Sequence, residues 1–156
     1  MRATIEVIVM TLWLGAAIFF STAVAQAAFT VLPTRTLSGL FVGRTLPVVF
    51  DAGIVAALIV LVIQWGSAGA ERSAWRIGAA LLVAIACGVA QFVVGSRIER
   101  VRAAIPGAID DLPASDARRV AFGQLHAVSV GLLGIAILAA VLIVVLAARP
   151  VPVRNP

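Results

Sequence analysis

The chain has 156 residues, of which 62% are hydrophobic and 12% are charged. Soluble globular domains are about 45–50% apolar and about 25% charged, so the composition excludes a water-soluble fold. The formal net charge of +5 is carried by arginine without any lysine or nucleic-acid motif, which favours anionic lipid headgroups over nucleic acid as partners.

The first predicted element is a membrane-spanning helix from about Ile5 to Leu32 that stops at Pro33. A basic start and an Ala-Val-Ala at 23–25 also resemble a signal peptide. The apolar run continues past that site to Leu32 and is too long for a signal sequence, so we predict an uncleaved span. Glu6, near its start, is expected to be solvated at the interface.

The second predicted span runs from about Phe41 or Leu46 to Trp65 and carries a single carboxylate, Asp51. The connection before it, residues 33–39, contains a proline turn, with Thr36 and Ser38 as candidate helix caps. Gly39 and Gly43 form a GxxxG pattern, which predicts close helix packing. Gln64, at the far end, is expected to be solvated.

The third span is predicted from about Trp75 to Ser96, after a Gly/Ser turn at 66–73 that is flanked by Trp65 and Trp75. Its basic sequel, 97–105, alternates arginines with apolar residues and predicts a short juxtamembrane amphipathic helix. Pro106 and Pro113 end that helix.

The fourth span is predicted from about Val120 to Ala148, capped by Ser115 or Asp116. Glycines in the third and fourth spans are expected to pack between helices: Gly88, Gly95, Gly123, Gly131 and Gly134. Residues 149–156 predict a mobile tail. The fold class is therefore an all-α integral membrane four-helix bundle, one domain over 1–148 with approximate spans 5–32, 41–65, 75–96 and 120–148.

An even number of spans puts both termini on one side of the membrane. Seven arginines lie on the side of the first and third connections and five on the side of the termini. The positive-inside rule then gives a slight preference for termini outside.

Polar side chains in the four spans predict a shared site. Counted from the nearest basic residue or proline, Gln26, Asp51, Gln91 and His126 each lie six or seven residues inside the same boundary. At 1.5 Å per residue this is about 10 Å deep for all of them. We therefore predict a polar pocket, open to one side, in which Asp51 and His126 are natural partners.

Catalytic chemistry has no signature in this sequence. There is no GxSxG, GxxxxGK or HExxH motif, and one cysteine (Cys87) and one histidine cannot fill a transition-metal site by themselves. An enzyme is therefore disfavoured. Metal ligation would need carboxylates, glutamines or a second subunit, and Cys87 is expected to be a packing residue.

Several motifs resemble a known family when they are taken in order. They are Trp13 with Gly15, a Gly-x-x-x-Gly-Arg approach to 46–50 (LPVVF), Arg97-Ile98-Glu99, and the 122–126 stretch FGQLH. In this order the chain resembles the transmembrane protein 205-like family, a domain of unknown function. The resemblance implies a four-helix membrane protein, and a link of one member to platinum-drug resistance implies export or trafficking.

The same family is distantly similar to copper-resistance-D-type membrane domains and to a haem-linked porphyrinogen oxidase family. That similarity implies a membrane histidine as haem ligand, which here is His126 alone.

Three functional hypotheses follow for a multi-pass protein of the bacterial inner membrane. The leading one is handling of a small cation, metal or proton through the predicted pocket. The second is a redox protein with haem held by His126. The third is a structural subunit that forms homo-oligomers or docks a partner membrane protein.

Overall fold

The computed structural model describes residues 2–65 and 71–148, which are helical almost throughout and contain no strand. Four helices are long and apolar enough to cross a membrane, as predicted. They are α1 (Arg2–Val31), α2 (Arg35–Trp65), α3 (71–103) and α4 (Ala117–Ala148). The predicted Gly/Ser turn lies partly, and the predicted tail wholly, outside the described residues.

Helix α2 begins earlier than its hydropathy suggested, at Arg35. Leu32 is extended before Pro33, and the Thr34 hydroxyl then accepts a hydrogen bond from the Leu37 N–H at 3.2 Å. Thr34 is therefore the N-cap, so the prediction of Thr36 or Ser38 as the cap was wrong. The polar first turns of α2 have too little apolar character to be found by hydropathy.

Helix α3 consists of three continuous parts: an α-helix Glu71–Gly88, a π-helical stretch Val89–Gly95 and an α-helix Ser96–Ala103. The predicted amphipathic helix is thus confirmed as the last turns of α3. A second π-helical stretch, Phe20–Val24, interrupts α1. Wider turns of this kind are often found at functional sites.

The helices pack as an up-down-up-down bundle in which each helix contacts the next in sequence and α4 returns to α1. Alanines dominate the core and let the helices approach closely. The predicted packing role of the glycines in α3 and α4 was largely wrong: a Cβ added at Gly88, Gly123, Gly131 or Gly134 would meet nothing within 4 Å.

Gly53 of α2 is the glycine that close packing requires. A Cβ there would lie 2.8 Å from the Cys87 sulfur and 2.8 Å from the Trp13 indole nitrogen. That nitrogen donates a hydrogen bond to the Val49 carbonyl at 2.9 Å, which fixes the ring. Helices α1, α2 and α3 therefore meet at Gly53, and Cys87 is a buried packing residue.

Candidate functional site

A cavity of about 570 Å³ opens at the end of the bundle formed by the first and third connections. Its wall comes from the end of α1, the first turns of α2, the end of α3, the connection after α3 and the start of α4. Most of the lining is apolar, and the charged or titratable side chains of the described wall are Arg35, Arg102, Asp110, Arg119 and His126. We call it the boundary cavity.

Arg102 of α3 lies across the first turns of α2. Its Nη2 donates to the Gly39 carbonyl at 3.0 Å, and its guanidinium stands 5.3 Å from the centre of the Phe122 ring. A Cβ at Gly43 would come within 2.8 Å of the Arg102 Nη1. The GxxxG pattern therefore makes room for an arginine side chain, where the sequence predicted a helix contact.

The π-helical stretch in α3 explains why Arg102 points inward. Ala90, Val94, Ile98 and Arg102 are spaced by four residues; the first two are buried and the last two line the boundary cavity. In a regular α-helix each step of four advances by about 40°, so Arg102 would lie about 120° from Ala90. The wider turn at Val89–Gly95 cancels much of this drift.

Arg102 keeps most of its charge available to a ligand. Its acidic neighbour is Glu99, at 3.6 Å and with a side chain that is 68% exposed. Exposed pairs of this kind contribute little, because solvent screens them. The Gly39 carbonyl and the Phe122 ring hold the guanidinium without neutralising it, so it remains able to bind an anion.

Arg119, in the first turn of α4, also lines the boundary cavity. Its Nη1 donates to the Leu112 carbonyl at 2.6 Å and to the Asp110 carbonyl at 3.4 Å. Both acceptors are neutral backbone groups. The connection between α3 and α4 is thereby tied to an arginine that also keeps its charge.

Asp116 caps α4, as one of the two predicted candidates. Its carboxylate accepts the Arg118 N–H at 2.8 Å and pairs with the Arg118 side chain at 2.8 Å. The hydrogen bond from the Arg118 side chain is the main cause that lowers the pKa of Asp116 to about 2. Arg118 is therefore paired with a carboxylate at 2.8 Å, whereas Arg102 has the exposed Glu99 at 3.6 Å and Arg119 bonds to backbone carbonyls.

The predicted polar residues divide into two levels. His126 lines the boundary cavity, where its ring stacks on Phe122 with 6.4 Å between centroids. The Ser38 hydroxyl donates to the Ala28 carbonyl at 2.8 Å, which places the exposed Gln26 close to the same boundary. Gln26 is not part of the cavity wall.

Asp51 and Gln91 lie deeper. Asp51 is sixteen residues after the start of α2 at Arg35 and fourteen before its end at Trp65, near the middle of the span. Relative to Gln26 it is about 16 Å further in, counted from the Ser38–Ala28 contact at 1.5 Å per residue. The sequence predicted a common depth because Asp51 was counted from Arg44. Arg44 lies nine residues after the true start of α2 at Arg35.

Asp51 also faces away from the core. The buried face of α2 contains Phe50, Gly53, Ala57 and Val60, whereas Asp51 is exposed on the opposite side. At the centre of a bilayer an aspartate costs about 2.5–3.5 kcal/mol on insertion scales. No hydrogen bond or ion pair joins Asp51 to another residue of the described chain.

A polar cluster that the sequence interpretation missed lies at the opposite end of the bundle. Glu6 is 1% exposed and Gln64 is 3% exposed, so the prediction that both are solvated was wrong. Gln64 Nε2 donates to Glu6 Oε1 at 2.6 Å, and Arg76 Nη1 pairs with Glu6 Oε2 at 3.1 Å. The sequence did contain a signal, because α1, α2 and α3 each have a polar residue within about two turns of that end: Glu6, Gln64 and Arg76.

This cluster joins three helices through a buried charge pair. Arg76 Nε is buried and has no acceptor among the described residues. The pair gives the helix ends a fixed register, because Glu6 would otherwise remain as a buried unpaired charge. Within the described residues, no group of three or more His, Cys, Asp or Glu side chains could hold a metal ion.

Comparison with known proteins gives one family. A family model described as a domain of unknown function (DUF4149) matches residues 8–106, which is more than half of the chain. The matched segment includes α2, Arg102 and Asp51, while Arg119 and His126 lie beyond it. The searches of curated proteins and of solved structures gave no match.

Proposed function

The chain belongs to the DUF4149 family, whose function is unknown, and from its geometry we propose that it binds the anionic headgroup of an amphiphile in the boundary cavity. The observation that carries this proposal is Arg102, which the Gly39 carbonyl and the Phe122 ring hold over Gly39 and Gly43, with Glu99 as an exposed acidic neighbour at 3.6 Å. Arg35 and Arg119 face the same space, and Asp110 is the one acidic residue of the described wall. Planar guanidinium groups match the geometry of phosphate and carboxylate oxygens.

The apolar wall indicates an amphiphile in preference to a free ion. Phe29, Leu40, Leu46 and Ile98 line the cavity next to the arginines. A phosphate or carboxylate would pair with Arg102 and Arg119. The first carbons of an acyl chain would contact the apolar side chains of the wall. A basic pocket between helix ends is the arrangement that binds lipid headgroups in other membrane proteins.

Binding to lipids of matched chain length tests the proposal. The purified protein is titrated in detergent with short-chain phosphatidylglycerol, with phosphatidylcholine and with inorganic phosphate, and complexes are counted by native mass spectrometry. We expect phosphatidylglycerol to bind at least about tenfold more tightly than phosphatidylcholine, because the choline cation of phosphatidylcholine offsets its phosphate charge beside the arginines. Equal affinity for both lipids would refute the proposal, and phosphate binding as tight as the lipid would show recognition of the anion alone.

Two variants and a control locate the site. Arg102→Gln is expected to weaken phosphatidylglycerol binding about tenfold. Gly43→Ala keeps the charge but places a methyl group 2.8 Å from the Arg102 Nη1 position, so a smaller loss is expected. Arg100→Gln is the matched control, since Arg100 is exposed on the same helix and bonds to the Ser96 carbonyl at 3.3 Å. Its affinity should stay within about twofold of the wild type.

Haem is a second candidate for the anionic amphiphile. His126 lines the same cavity as the arginines, so a ring nitrogen for the iron and cations for the two propionates lie together. This chain would supply one axial ligand. Visible absorption spectra of the purified protein, oxidised and reduced, test this hypothesis: a Soret band that is lost in His126→Ala would support it, and a colourless protein would remove it.

The cation, metal or proton hypothesis remains a prediction. Its four residues lie at two depths, and the one in the boundary cavity, His126, shares that space with arginines that repel cations. Growth of Asp51→Asn and His126→Ala strains under copper, platinum or acid stress tests it. The resemblance to the transmembrane protein 205-like family and to copper-resistance-D-type domains, and the placement in a bacterial inner membrane, likewise remain predictions.

A further inference from the structure

The outer face of α2 carries a polar group at a depth where lipid cannot pair with it. Asp51 is exposed there and is flanked along the helix by Val48 and Val55, which are 64% and 56% exposed. These three residues form one stripe on the side of α2 that faces away from the core. An intramembrane carboxylate normally finds a hydrogen-bond partner.

A second unpartnered polar side chain lies level with Asp51 on the neighbouring helix. Arg102 contacts Gly39, and Cys87 contacts the Gly53 position, and these two contacts fix the relative depth of α2 and α3. Counting from either contact places Asp51 level with the stretch around Gln91. Gln91 is half-buried in the π-helical segment, and no hydrogen bond joins its side chain to another residue of the described chain.

We propose that the α2–α3 outer face is the interface with a second copy of this chain, in which Asp51 of each copy accepts a hydrogen bond from the Gln91 amide of the other. The two side chains are complementary, since a carboxylate accepts and an amide donates. Two copies inserted in the same direction keep residues of equal depth level. A two-fold axis along the membrane normal then brings Asp51 of each copy to Gln91 of the other, so the dimer contains two such pairs. This inference does not depend on the proposed lipid site.

Disulfide cross-linking in vesicles locates the interface. Ala52→Cys places an exposed thiol beside Asp51. The native Cys87 is buried, so it need not be replaced, and the substitution is made in the wild-type chain. Ile135→Cys is the matched control, because Ile135 is exposed at a similar depth on α4. Under mild oxidation we expect a covalent dimer from Ala52→Cys and little from Ile135→Cys. Equal yields, or no dimer from Ala52→Cys, would overturn the proposal.

The strength of association tests the two side chains themselves. Copies fused at the C terminus to donor or acceptor fluorophores are diluted with lipid, and energy transfer gives the dimer dissociation constant. Two average intramembrane hydrogen bonds correspond to about five- to tenfold in that constant, so Asp51→Val and Gln91→Leu should each weaken association by about this factor. The double variant should be no weaker than either single one.

Asp51→Asn keeps a polar partner for Gln91 and should stay within about twofold of the wild type, so a folding defect can be told apart from loss of the pair. Gln26→Leu removes an exposed polar group from α1 and should change nothing. Unchanged association in Asp51→Val, or an equal loss in Gln26→Leu, would refute the pairing and indicate a monomer or a different partner.

Discussion

Gly53→Ala gives the sharpest test of the packing. The added Cβ would lie 2.8 Å from the Cys87 sulfur, 2.8 Å from the Trp13 indole nitrogen and 2.9 Å from a ring carbon. The ring cannot turn away easily, because Trp13 is 4% exposed and donates to the Val49 carbonyl. Relief must therefore come from a shift of the helices. Overpacking of this kind lowers the unfolding free energy by about 1–3 kcal/mol, while replacing glycine with alanine inside a helix raises it by about 0.5–1 kcal/mol.

The two terms leave a net loss of up to about 2.5 kcal/mol in unfolding free energy for Gly53→Ala, measured by SDS titration in mixed micelles. Gly131→Ala is the control, since its Cβ would meet nothing within 4 Å and should leave stability unchanged or raise it. Gly53→Ala should be less stable than this control by about 1–3 kcal/mol, and equal stability of the two variants would show that the three helices do not meet as closely as described.

Two further predictions concern charged groups at the helix ends. Glu6→Gln removes the carboxylate that pairs with Arg76 and leaves a largely buried cation, so unfolding free energy should fall by about 1–3 kcal/mol in the same titration, less than for a fully buried pair because Arg76 is partly exposed. An unchanged value would mean that Arg76 finds another partner. The pKa of Asp116 is lowered to about 2 from its usual 3.8, so the stability that it gives the start of α4 is present above about pH 4 and is lost as the pH falls through 2. The protection factor of the first turn of α4, which corrects the exchange rate for its intrinsic pH dependence, should fall over this range in the wild type and should stay constant in Asp116→Asn.

The architecture could be predicted because its causes are local. A run of about 20 apolar residues must form a helix in lipid, wherever its neighbours lie. The cap at Asp116 also depends only on adjacent residues. The start of α2 was missed because a polar first turn does not raise the hydropathy of the segment. The sequence did offer Thr34, directly after Pro33, as a candidate cap.

The directions in which side chains point were decided by tertiary structure. Gln26, Asp51, Gln91 and His126 were predicted to share one depth because the sequence did not show that α2 starts at Arg35 and that α3 continues to Ala103. Glu6 seemed solvated until α2 and α3 brought Gln64 and Arg76 to it.

The sequence by itself determined four apolar helices, because hydropathy and length act along one chain segment at a time. The tertiary structure alone decided that Gly39 and Gly43 make room for Arg102, that Gly53 meets Trp13 and that Asp51 faces outward. The reason is geometric. A helical residue can face any direction around the axis, and only the neighbouring helices, together with the π-helical turns within α1 and α3, determine which face becomes the interior.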